Sequence, residues 1–475
     1  MEFHVDIGER GDRAARIYRE LLEAVLDGRL RPGERLPPTR ELAQRLAVSR
    51  NTVAVAYERL TAEGFLSTQV GAGTFVVERP AALKQRRAPG GRNVTPRPVW
   101  RELGPTVGAG PGSGQFDFTV GIPDHRLFPL PAWRRLVARE LRGATLNVGA
   151  YGDPAGHPAL RAAIARFVGT SRSVRVDPDD VLVTQGTQQA LDVIARVLVE
   201  PGDCVAVEEP GYQPARRLFR SLGARVVGVP VDDEGLDVDA LPGTARLVYT
   251  TPSHQFPLGV PMSLARRNAL LAWAERVGAV IIEDDYDSEF RFEDRPLAPL
   301  QSLDRGGRVI YVGSFSKTLL PILRLGFLVA PVSLQPALRT AKQLTDWHGE
   351  LLTQATLAQF IDDGLLGRHI RKASREYAAR HRLIVATLRS DFAGVLALVR
   401  SAAGLHLATR LVQSAGVDLD AVVERAKALG VDVPRLADYC GDRPQAGLVL
   451  GYGIIPVQRI PEALHRLRSA FEPTG

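Results

Sequence analysis

Short apolar runs alternate with amphipathic stretches over most of the chain. From Phe116 onward, β-rich runs such as VLVTQ, CVAVEE, ARLVYTTP, GAVIIEDDY and RVIYVGSF are separated by stretches with helical periodicity, such as ALDVIARVLVE and LARRNALLAWAERVG. Strands that alternate with helix-length segments are typical of a mostly parallel sheet covered by helices. We therefore predict an α/β domain over residues 116–345.

The pattern changes at about Asp346. Helical periodicity in LLTQATLAQFIDDGLL gives way to short strands such as GLHLATR and GLVLGYG. Helical and strand patterns that follow one another in this way predict a smaller α+β domain over residues 346–475.

The first part of the chain, residues 1–78, has its own helical pattern. In ARIYRELLEAVLDGRL, the apolar residues Ile17, Leu21, Leu22 and Val25 fall on one face of a helix. This periodicity predicts an amphipathic helix that packs against further elements of a small domain.

Two short helices joined by a tight turn are predicted after that first helix. Thr39 is placed to cap one helix, Ala47 and Val48 form the turn, and Ser49 caps the next helix. This order predicts a helix-turn-helix. The stretch FLSTQVGAGTFVV then predicts a β-hairpin with its tip at residues 71–73.

Composition excludes several classes of protein. The 475 residues are 45% apolar and 24% charged, values that are ordinary for a folded, water-soluble protein. No apolar run is long enough to span a bilayer, and the first residues lack the apolar core of a signal peptide, so we expect a cytoplasmic protein without a membrane partner. Two cysteines are too few for a disulfide framework or a cysteine-rich metal site, and we expect no metal.

Positive charge is concentrated between the predicted folded parts. Residues 79–115 are rich in proline, glycine and arginine and lack helical and strand periodicity, so we predict a flexible basic linker. The net charge of +7 permits a polyanionic partner without establishing one.

The second helix of the predicted helix-turn-helix begins with Ser49, Arg50, Asn51 and Thr52. These side chains put hydroxyl, guanidinium and amide groups at a helix N-terminus, where a recognition helix contacts base edges and phosphates. A small helical adaptor without DNA contacts is the alternative that spacing alone leaves open.

The segment resembles the winged helix-turn-helix of the GntR superfamily of bacterial repressors. The resemblance is carried by LPPTRELA, VSRNTV, YERLTAEG and GAGTFV. It implies that Arg40, Arg50 and Thr52 contact DNA and that a wing containing Gly71 and Gly73 enters a minor groove. Because single winged modules bind weakly, we expect a dimer that reads two half-sites.

Three segments of the α/β domain offer groups for a planar anionic ligand. VLVTQGTQQALDVIA predicts a strand, a turn and a helix, so the backbone N–H groups of Gly186, Thr187 and Gln188 are placed to accept a phosphate. VEEPGYQPA places Tyr212 either against a planar ligand or in a loop with a hydrated hydroxyl. AVIIEDDYDSEF crowds acids and Tyr286 at the end of a strand, which indicates a ligand-binding edge or, alternatively, a solvated turn.

A lysine completes this set of groups. RVIYVGSFSKTLLPILRLGF ends a predicted strand near Ser314, Ser316 and Lys317, and Arg324 follows. Lysine forms an imine with an aldehyde, and the two serines and the arginine add phosphate donors. An amine, a phosphate cup, a carboxylate and an aromatic ring are what pyridoxal 5′-phosphate requires, so we predict this cofactor. A surface lysine lying over a leucine-rich stretch is the alternative.

Residues 116–470 resemble the fold-type I pyridoxal-phosphate enzymes, the aspartate aminotransferase family, through these segments. The resemblance implies that Lys317 holds the cofactor as a Schiff base, that Asp284 pairs with its pyridinium nitrogen and that Tyr286 contacts its phenolic oxygen. It also implies that Tyr212 is the stacking ring and Arg324 a phosphate ligand.

Other parts of the resemblance concern the dimer and the ligand. YGDPAGHPALRAAIA is similar to a family stretch whose tyrosine, here Tyr151, reaches the cofactor phosphate of a neighbouring subunit. The family's Asn-Pro-x-Gly turn is replaced by SHQFPLG, which leaves His254 or Gln255 to supply the missing amide contact. The arginine that grips a substrate carboxylate has no counterpart in GLVLGYG, and Arg435 is the nearest alternative for binding an effector.

The whole chain resembles the MocR family of bacterial transcription regulators, because it combines a GntR-like reader, a basic linker and an aminotransferase-like body with the SHQFP variant. The resemblance implies a homodimer, head-to-tail with swapped domains. It also implies that binding to a double-stranded DNA operator responds to pyridoxal phosphate, or to an amino compound such as γ-aminobutyrate or taurine that forms an external aldimine. The alternative function is an active aminotransferase with a DNA-binding tether.

Overall fold

The fold is described from a computed structural model of the chain, over residues 12–77, 94–104, 112, 114–142, 150–292, 298–401, 403–412 and 416–472. The chain forms two compact units that divide between Thr95 and Pro96. No helix within these described ranges is long and apolar enough to cross a membrane.

The first unit, which we call the reader, consists of three helices and a hairpin. Its core contains Ile17 and Leu21 of the first helix, which confirms the predicted apolar face, together with Val53 and Leu60 of the third. The two strands pair in antiparallel fashion. The elements are α1 (Arg13–Leu26), α2 (Thr39–Arg45), α3 (Arg50–Ala62), β1 (Leu66–Gln69) and β2 (Gly73–Val76).

The start of α2 differs from the prediction. Thr39 is the first helical residue, and Pro38, which has no side chain able to cap, occupies the capping position. The predicted Thr39 cap is wrong because Pro38 already has the extended backbone that precedes a helix. The Thr39 hydroxyl instead accepts a hydrogen bond from Nε of Arg50 at 3.4 Å. The predicted turn is present, and Ala47 has a φ of 51° there.

The second unit, which we call the body, is built around an eight-stranded sheet with the order β4-β11-β10-β9-β8-β5-β6-β7. The central strands are parallel, and β11 and β7 are antiparallel to their neighbours. The mostly parallel sheet was therefore predicted correctly. Its strands are β4 (Val181–Thr184), β5 (Cys204–Glu209), β6 (Arg225–Asp232), β7 (Gly235–Leu236), β8 (Ala245–Thr250), β9 (Val280–Asp285), β10 (Val309–Ser314) and β11 (Gly326–Val329).

Helices cover both faces of this sheet because successive side chains of each strand point to opposite faces. In β10, Ile310 and Val312 pack with the helices of one face, whereas Val309 and Tyr311 pack in the clusters of the other. The first ten helices of the body are α4 (Pro98–Leu103), α5 (Leu130–Arg142), α6 (Pro158–Arg172), α7 (Thr187–Leu198), α8 (Gln213–Ser221), α9 (Leu264–Val277), α10 (Leu300–Leu303), α11 (Gln335–Asp346), α12 (Leu351–Asp362) and α13 (Leu365–Asp391).

A smaller α+β part completes the body. Its antiparallel sheet has the order β12-β13-β15, and a second pair of strands, β14 and β3, is parallel. Its elements are β3 (Phe116–Asp117), β12 (Leu396–Leu398), β13 (His406–Leu411), α14 (Leu419–Ala428), β14 (Val431–Asp432), β15 (Val449–Gly451) and α15 (Ile460–Ser469). Phe116 and Phe118, at the predicted start of the large domain, pack in the apolar core of this smaller part.

Part of the predicted linker is helical and attached to the body. The helix α4 packs against α8. Arg217 of α8 donates to the carbonyl of Leu103 and, at 2.9 Å, to that of Gly104, and Arg97 donates to the carbonyl of Ser221 at 3.4 Å. Arginine side chains thus hold the end of this segment against the helix that follows Tyr212.

Candidate functional site

The carboxyl ends of the central strands bring most of the predicted cofactor residues together. β4, β5, β8, β9 and β10 belong to one sheet, and all but β4 form its continuous parallel section. Gly186, Tyr212 and His254 follow β4, β5 and β8, while Asp284 is the last residue but one of β9 and Lys317 follows β10. Ligands bind at this edge in open α/β sheets.

Lys317 is positioned by the turn that follows β10. Its Nζ donates a hydrogen bond to the carbonyl oxygen of Gly121 at 2.7 Å. Burial lowers the pKa of Lys317, while the carboxylates of Asp287 and Asp284 act in the opposite direction. A lowered pKa increases the fraction of uncharged amine, which is the form that attacks an aldehyde.

One carboxylate oxygen of Asp284 accepts a hydrogen bond, and the other has no partner within the described residues. Oδ2 accepts a hydrogen bond from the hydroxyl of Tyr249 at 2.8 Å, whereas Oδ1 is buried and has no hydrogen-bond partner within the described residues. Burial raises the pKa of Asp284 to about 7. A pyridinium N–H at Oδ1 supplies both the missing donor and an opposite charge, so this carboxylate fits a pyridoxal ring.

Tyr286 lies in a buried polar cluster with His254 and Asp287. Its hydroxyl donates to the carbonyl oxygen of His254 at 2.9 Å, and the His254 ring contacts the Asp287 carboxylate through Nδ1 at 3.0 Å. Nε2 of His254 is 3.1 Å from Oγ of Ser401. Burial raises the pKa of Tyr286 well above its ordinary value, so the phenol keeps its proton.

The structure distinguishes His254 from Gln255, the two candidates for the contact that the asparagine of the family's Asn-Pro-x-Gly turn would make. Nε2 of Gln255 donates to the carbonyl oxygens of Pro210, at 2.9 Å, and of Phe256, and lies 3.2 Å from the Glu208 carboxylate. Through these hydrogen bonds the side-chain amide of Gln255 stabilises the turn. His254 is therefore the residue of the pair that adjoins Tyr286.

Tyr212 precedes α8 and packs among aromatic rings. Its ring centroid is 6.4 Å from that of Tyr249 at an interplanar angle of 31°, and Phe256 contacts it edge-on at 5.7 Å. Burial raises the pKa of Tyr212 to about 12. The ring is thus a half-buried platform rather than a hydrated loop side chain.

The start of α7 forms a cup with Arg324. Gly186 has a φ of 83° and no capping side chain, so the first-turn N–H groups at Thr187 and Gln188 are not bound by a side-chain cap. A Cβ at Gly186 would lie 3.1 Å from Nη2 of Arg324. That guanidinium donates to the carbonyl of Gln185 at 2.6 Å. N–H groups at a helix N-terminus beside a guanidinium fit a phosphate.

Two further predicted phosphate donors lie beside the lysine. Oγ of Ser314 accepts a hydrogen bond from the backbone N–H of Ser316 at 3.1 Å. Ser314 is buried and Ser316 is half-buried. The first hydroxyl therefore shapes the turn before Lys317.

Two predicted ligand residues lie outside this cluster. Arg435 donates to carboxylates of Asp420 and Asp438, both at 2.7 Å, so its guanidinium is already engaged. These ion pairs compete with the predicted contact to an effector carboxylate, which stays a prediction. Tyr151 is 76% exposed, and its ring packs 4.6 Å from that of Trp347.

The reader exposes the side chains predicted to contact DNA. Arg40, Arg50 and Asn51 are exposed, and Thr52 is half-buried. Oγ of Ser49 accepts from the backbone N–H of Thr52 at 3.1 Å and thereby caps α3. The cap leaves the guanidinium and amide groups at the start of the helix, where they can contact a duplex.

The hairpin tip is shaped by two glycines. Gly71 has a φ of 81° and Gly73 a φ of 121°. Both values are positive, in a region of backbone conformation that favours glycine. A Cβ at Gly73 would also lie 2.7 Å from Nε of Arg35. The tip is therefore narrow, as a wing that enters a groove requires.

Several residues of the site were not predicted from the sequence. Tyr249 binds Asp284, Asp287 binds His254, and His406 packs 4.8 Å from His254. The position of Tyr249 near the end of a strand adjacent to β9 is the signal that was available for it. A histidine within the apolar strand GLHLATR was the signal for His406.

Comparison with known proteins agrees with both units. Residues 13–76 match the family of bacterial regulatory proteins of the gntR type, and residues 113–429 match aminotransferase class I and II. The chain is 39% identical over 461 residues to a probable rhizopine catabolism regulatory protein, MocR of Rhizobium meliloti, covering 96% of this chain and 93% of that protein. It is 32% identical to the pyridoxine biosynthesis transcriptional regulator PdxR of Corynebacterium glutamicum, covering 92% and 91%.

The body is also similar to solved aminotransferases. Kynurenine aminotransferase of Pyrococcus horikoshii, in a structure with pyridoxamine phosphate (PMP), is 28% identical with a TM-score of 0.69, covering 74% of this chain and 89% of that one. Fold, site and similarity together define a helix-turn-helix transcriptional regulator with an aminotransferase-like body whose cofactor is pyridoxal phosphate. The chain belongs to the MocR family of these regulators.

Proposed function

We propose that this regulator binds operator DNA as a homodimer and that the occupancy of its cofactor site controls that binding. The observation that carries the proposal is the free Oδ1 of buried Asp284 beside a lysine of lowered pKa, in a chain that also exposes Arg50 at the start of a reading helix. A regulator that binds operator DNA acts where that DNA lies, so we place its function in the cytoplasm.

Each cofactor group has a proposed partner in the body. Lys317 binds the aldehyde carbon, Asp284 the pyridinium nitrogen and Tyr286 the phenolic oxygen. Tyr212 stacks on the ring. The phosphate is held by Gly186, Thr187, Gln188, Ser314, Ser316 and Arg324. When bound, the cofactor supplies an electrophilic carbon that captures amines reversibly.

The effector is either the cofactor itself or an amino compound. Nζ of Lys317 would hold the aldehyde group of the cofactor, and an amine effector would compete with Nζ for that group. One relative is a regulator of pyridoxine biosynthesis and another a probable regulator of rhizopine catabolism, which supports a small-molecule effector. An effector changes operator affinity only to the extent that it binds two arrangements of reader and body unequally.

A homodimer is required for both halves of this function. One reader presents a single recognition helix, and two half-sites require two readers. We propose that Tyr151, which is exposed next to Trp347, contacts a second copy and reaches that copy's phosphate cup. We propose a head-to-tail arrangement with swapped domains, in which Arg40, Ser49, Arg50, Asn51, Thr52 and the wing glycines of each reader contact the duplex.

Transamination is the second candidate function, because the body shares its fold with aminotransferases and keeps a half-buried lysine near Asp284. The engaged Arg435 and the apolar, buried strand β15 argue against an aminotransferase-type carboxylate grip. The two functions differ in the step after amine binding: an enzyme releases a keto product and repeats, whereas a sensor holds the amine.

Incubation with a panel of amino and keto acids tests this difference. The proposal predicts a change in the visible absorption of the bound cofactor, with no more than one equivalent of product per chain. Rapid formation of many equivalents would reject the sensor function in favour of an enzyme.

Two variants test whether the units are separable. Arg50→Ala should abolish operator binding and leave the visible absorption of the cofactor intact. Lys317→Ala should remove the absorption and leave a folded reader that still binds DNA. Loss of both properties in either variant would contradict a two-unit regulator.

A further inference from the structure

His406 is a buried histidine next to the proposed cofactor site with one ring nitrogen unused. It lies in β13, is 1% exposed, and its Nε2 is buried without a hydrogen-bond partner within the described residues. Buried polar atoms are nearly always hydrogen-bonded, because an unmade bond costs free energy that water can no longer offset. An unmade bond at the edge of a ligand site indicates a contact that the ligand supplies.

The other ring nitrogen determines what Nε2 can bind. His406 makes a hydrogen bond to the carbonyl oxygen of Pro257, and because Nε2 is unpartnered, that bond belongs to Nδ1. A carbonyl only accepts, so Nδ1 carries the proton and Nε2 carries a lone pair. Burial, with the charges of His254 and Lys317, lowers the pKa of His406 well below its ordinary value and keeps the ring neutral.

The ring lies among residues that surround the reacting end of the cofactor. It is stacked with Tyr286 at 6.5 Å and 17°, packs 4.8 Å from His254, and lies 5.4 Å from Phe256. Tyr286 is the proposed partner of the phenolic oxygen, which neighbours the aldehyde carbon. The proposed phosphate cup is formed by other residues, at the start of α7.

The lone pair on Nε2 of His406 determines which ligand groups can form a hydrogen bond there. A carboxylate offers only acceptor oxygens, which a second acceptor repels. A second ammonium is disfavoured because burial opposes a charge. A hydroxyl is a neutral donor, so the lone pair on Nε2 does not repel it and no charge is buried. The ring of Phe256, 5.4 Å from that of His406, offers an apolar surface to a carbon skeleton.

We propose that Nε2 of His406 accepts a hydrogen bond from a hydroxyl group of the amine effector, so that the chain selects amino alcohols over matched amines that lack the hydroxyl. This inference rests on the proposed function, because it assumes that an amine enters the cofactor site.

Paired amines that differ by one hydroxyl group test the proposal. The full-length chain loaded with pyridoxal phosphate is titrated with 2-aminoethanol and ethylamine, 3-amino-1-propanol and propylamine, and 4-amino-1-butanol and butylamine, while visible absorption and operator binding are followed. β-Alanine and γ-aminobutyrate serve as carboxylate analogues. At least one amino alcohol should bind about tenfold more tightly than its partner and than either carboxylate analogue.

Variants assign the preference to the histidine. His406→Phe keeps a ring without the acceptor and should remove the preference, whereas His406→Gln restores an acceptor oxygen and should recover part of it. His465→Phe, at an exposed position of α15, is the matched control and should behave as the original chain. Retained cofactor absorption shows that each variant is folded.

Several results would overturn the inference. These are equal binding within every pair, a preference that survives in His406→Phe, or tighter binding of a carboxylate analogue. Donor atoms of His254, Asp287 and His406 lie within 4.8 Å of one another. Stoichiometric Zn²⁺ binding that is lost in His406→Phe would therefore assign Nε2 to a metal instead. If amines act without any hydroxyl preference, only this inference fails, whereas the proposed function fails if neither cofactor nor any amine changes operator binding.

Discussion

We predict that cofactor binding depends on pH through the ionisation of Asp284. Without the cofactor its pKa is raised to about 7, because burial disfavours the charge more than the Tyr249 hydrogen bond favours it. A pyridinium N–H pairs with the ionised carboxylate, so the cofactor competes with a proton at this position. Affinity is therefore highest well above pH 7 and falls as the pH drops through about 7, where the carboxyl takes up a proton.

The size of the effect follows from that pKa. Between about pH 8 and about pH 6 the ionised fraction of Asp284 falls from about nine-tenths to about one-tenth, so this group lowers cofactor affinity about tenfold. Asp284→Asn lacks the ionisation. It also loses a charge-assisted hydrogen bond of about 1.5–3 kcal/mol, which weakens binding about 10- to 100-fold at the higher pH.

The assay is a titration of the cofactor-free chain with pyridoxal phosphate at three pH values, followed by visible absorption. Ionisation of the cofactor phosphate affects all the proteins alike, so the contribution of the Asp284 carboxylate, including its effect on the pKa of Lys317, is the difference between the pH profiles of the original chain and Asp284→Asn. Asp239→Asn, at an exposed position of the body, is the control and should keep the original profile. Identical profiles for Asp284→Asn and the original chain would refute the reasoning.

Three further predictions concern the reader, the linker and the core. Arg50→Ala should weaken operator binding by at least tenfold in a gel-shift assay at fixed salt, because a base-edge or phosphate contact is lost, while Arg19→Ala, exposed on α1, should not. Arg217→Ala frees the end of α4 and should keep cofactor affinity but reduce the effect of cofactor on operator affinity; an unchanged effect would rule out coupling through this contact. Phe118→Ala, a fully buried position, should destabilise the body by about 3–5 kcal/mol in denaturant unfolding, and a change near zero would contradict its place in the core.

The fold was largely predictable because its elements follow simple periodicities. Five buried runs became β4, β5, β8, β9 and β10, because strands of a sheet covered by helices on both faces are apolar on both faces. The site was partly predictable for a related reason: the carboxyl ends of parallel strands meet, so Asp284 and Lys317 had to lie at one edge.

The features that could not be predicted from the sequence depend on contacts between different segments of the chain. The ion pairs of Arg435 with Asp420 and Asp438, of which the first is fifteen positions away in the chain, could not be predicted from the sequence. The helix α4 lies in a stretch rich in proline and glycine, and arginines of α8 and of the linker hold it in place. His406 gave no periodic signal, because its role arises from rings brought to it by two other segments.

Operator affinity measured with and without pyridoxal phosphate, for the original chain and for Lys317→Ala, tests the central claim most directly. The measurement uses one stated salt concentration, because phosphate contacts make affinity salt-dependent. The account predicts that the cofactor changes the operator affinity of the original chain and leaves that of Lys317→Ala unchanged. An equal change in both proteins would contradict control through the lysine, and so would the absence of any change, with cofactor or with amines, in the original chain.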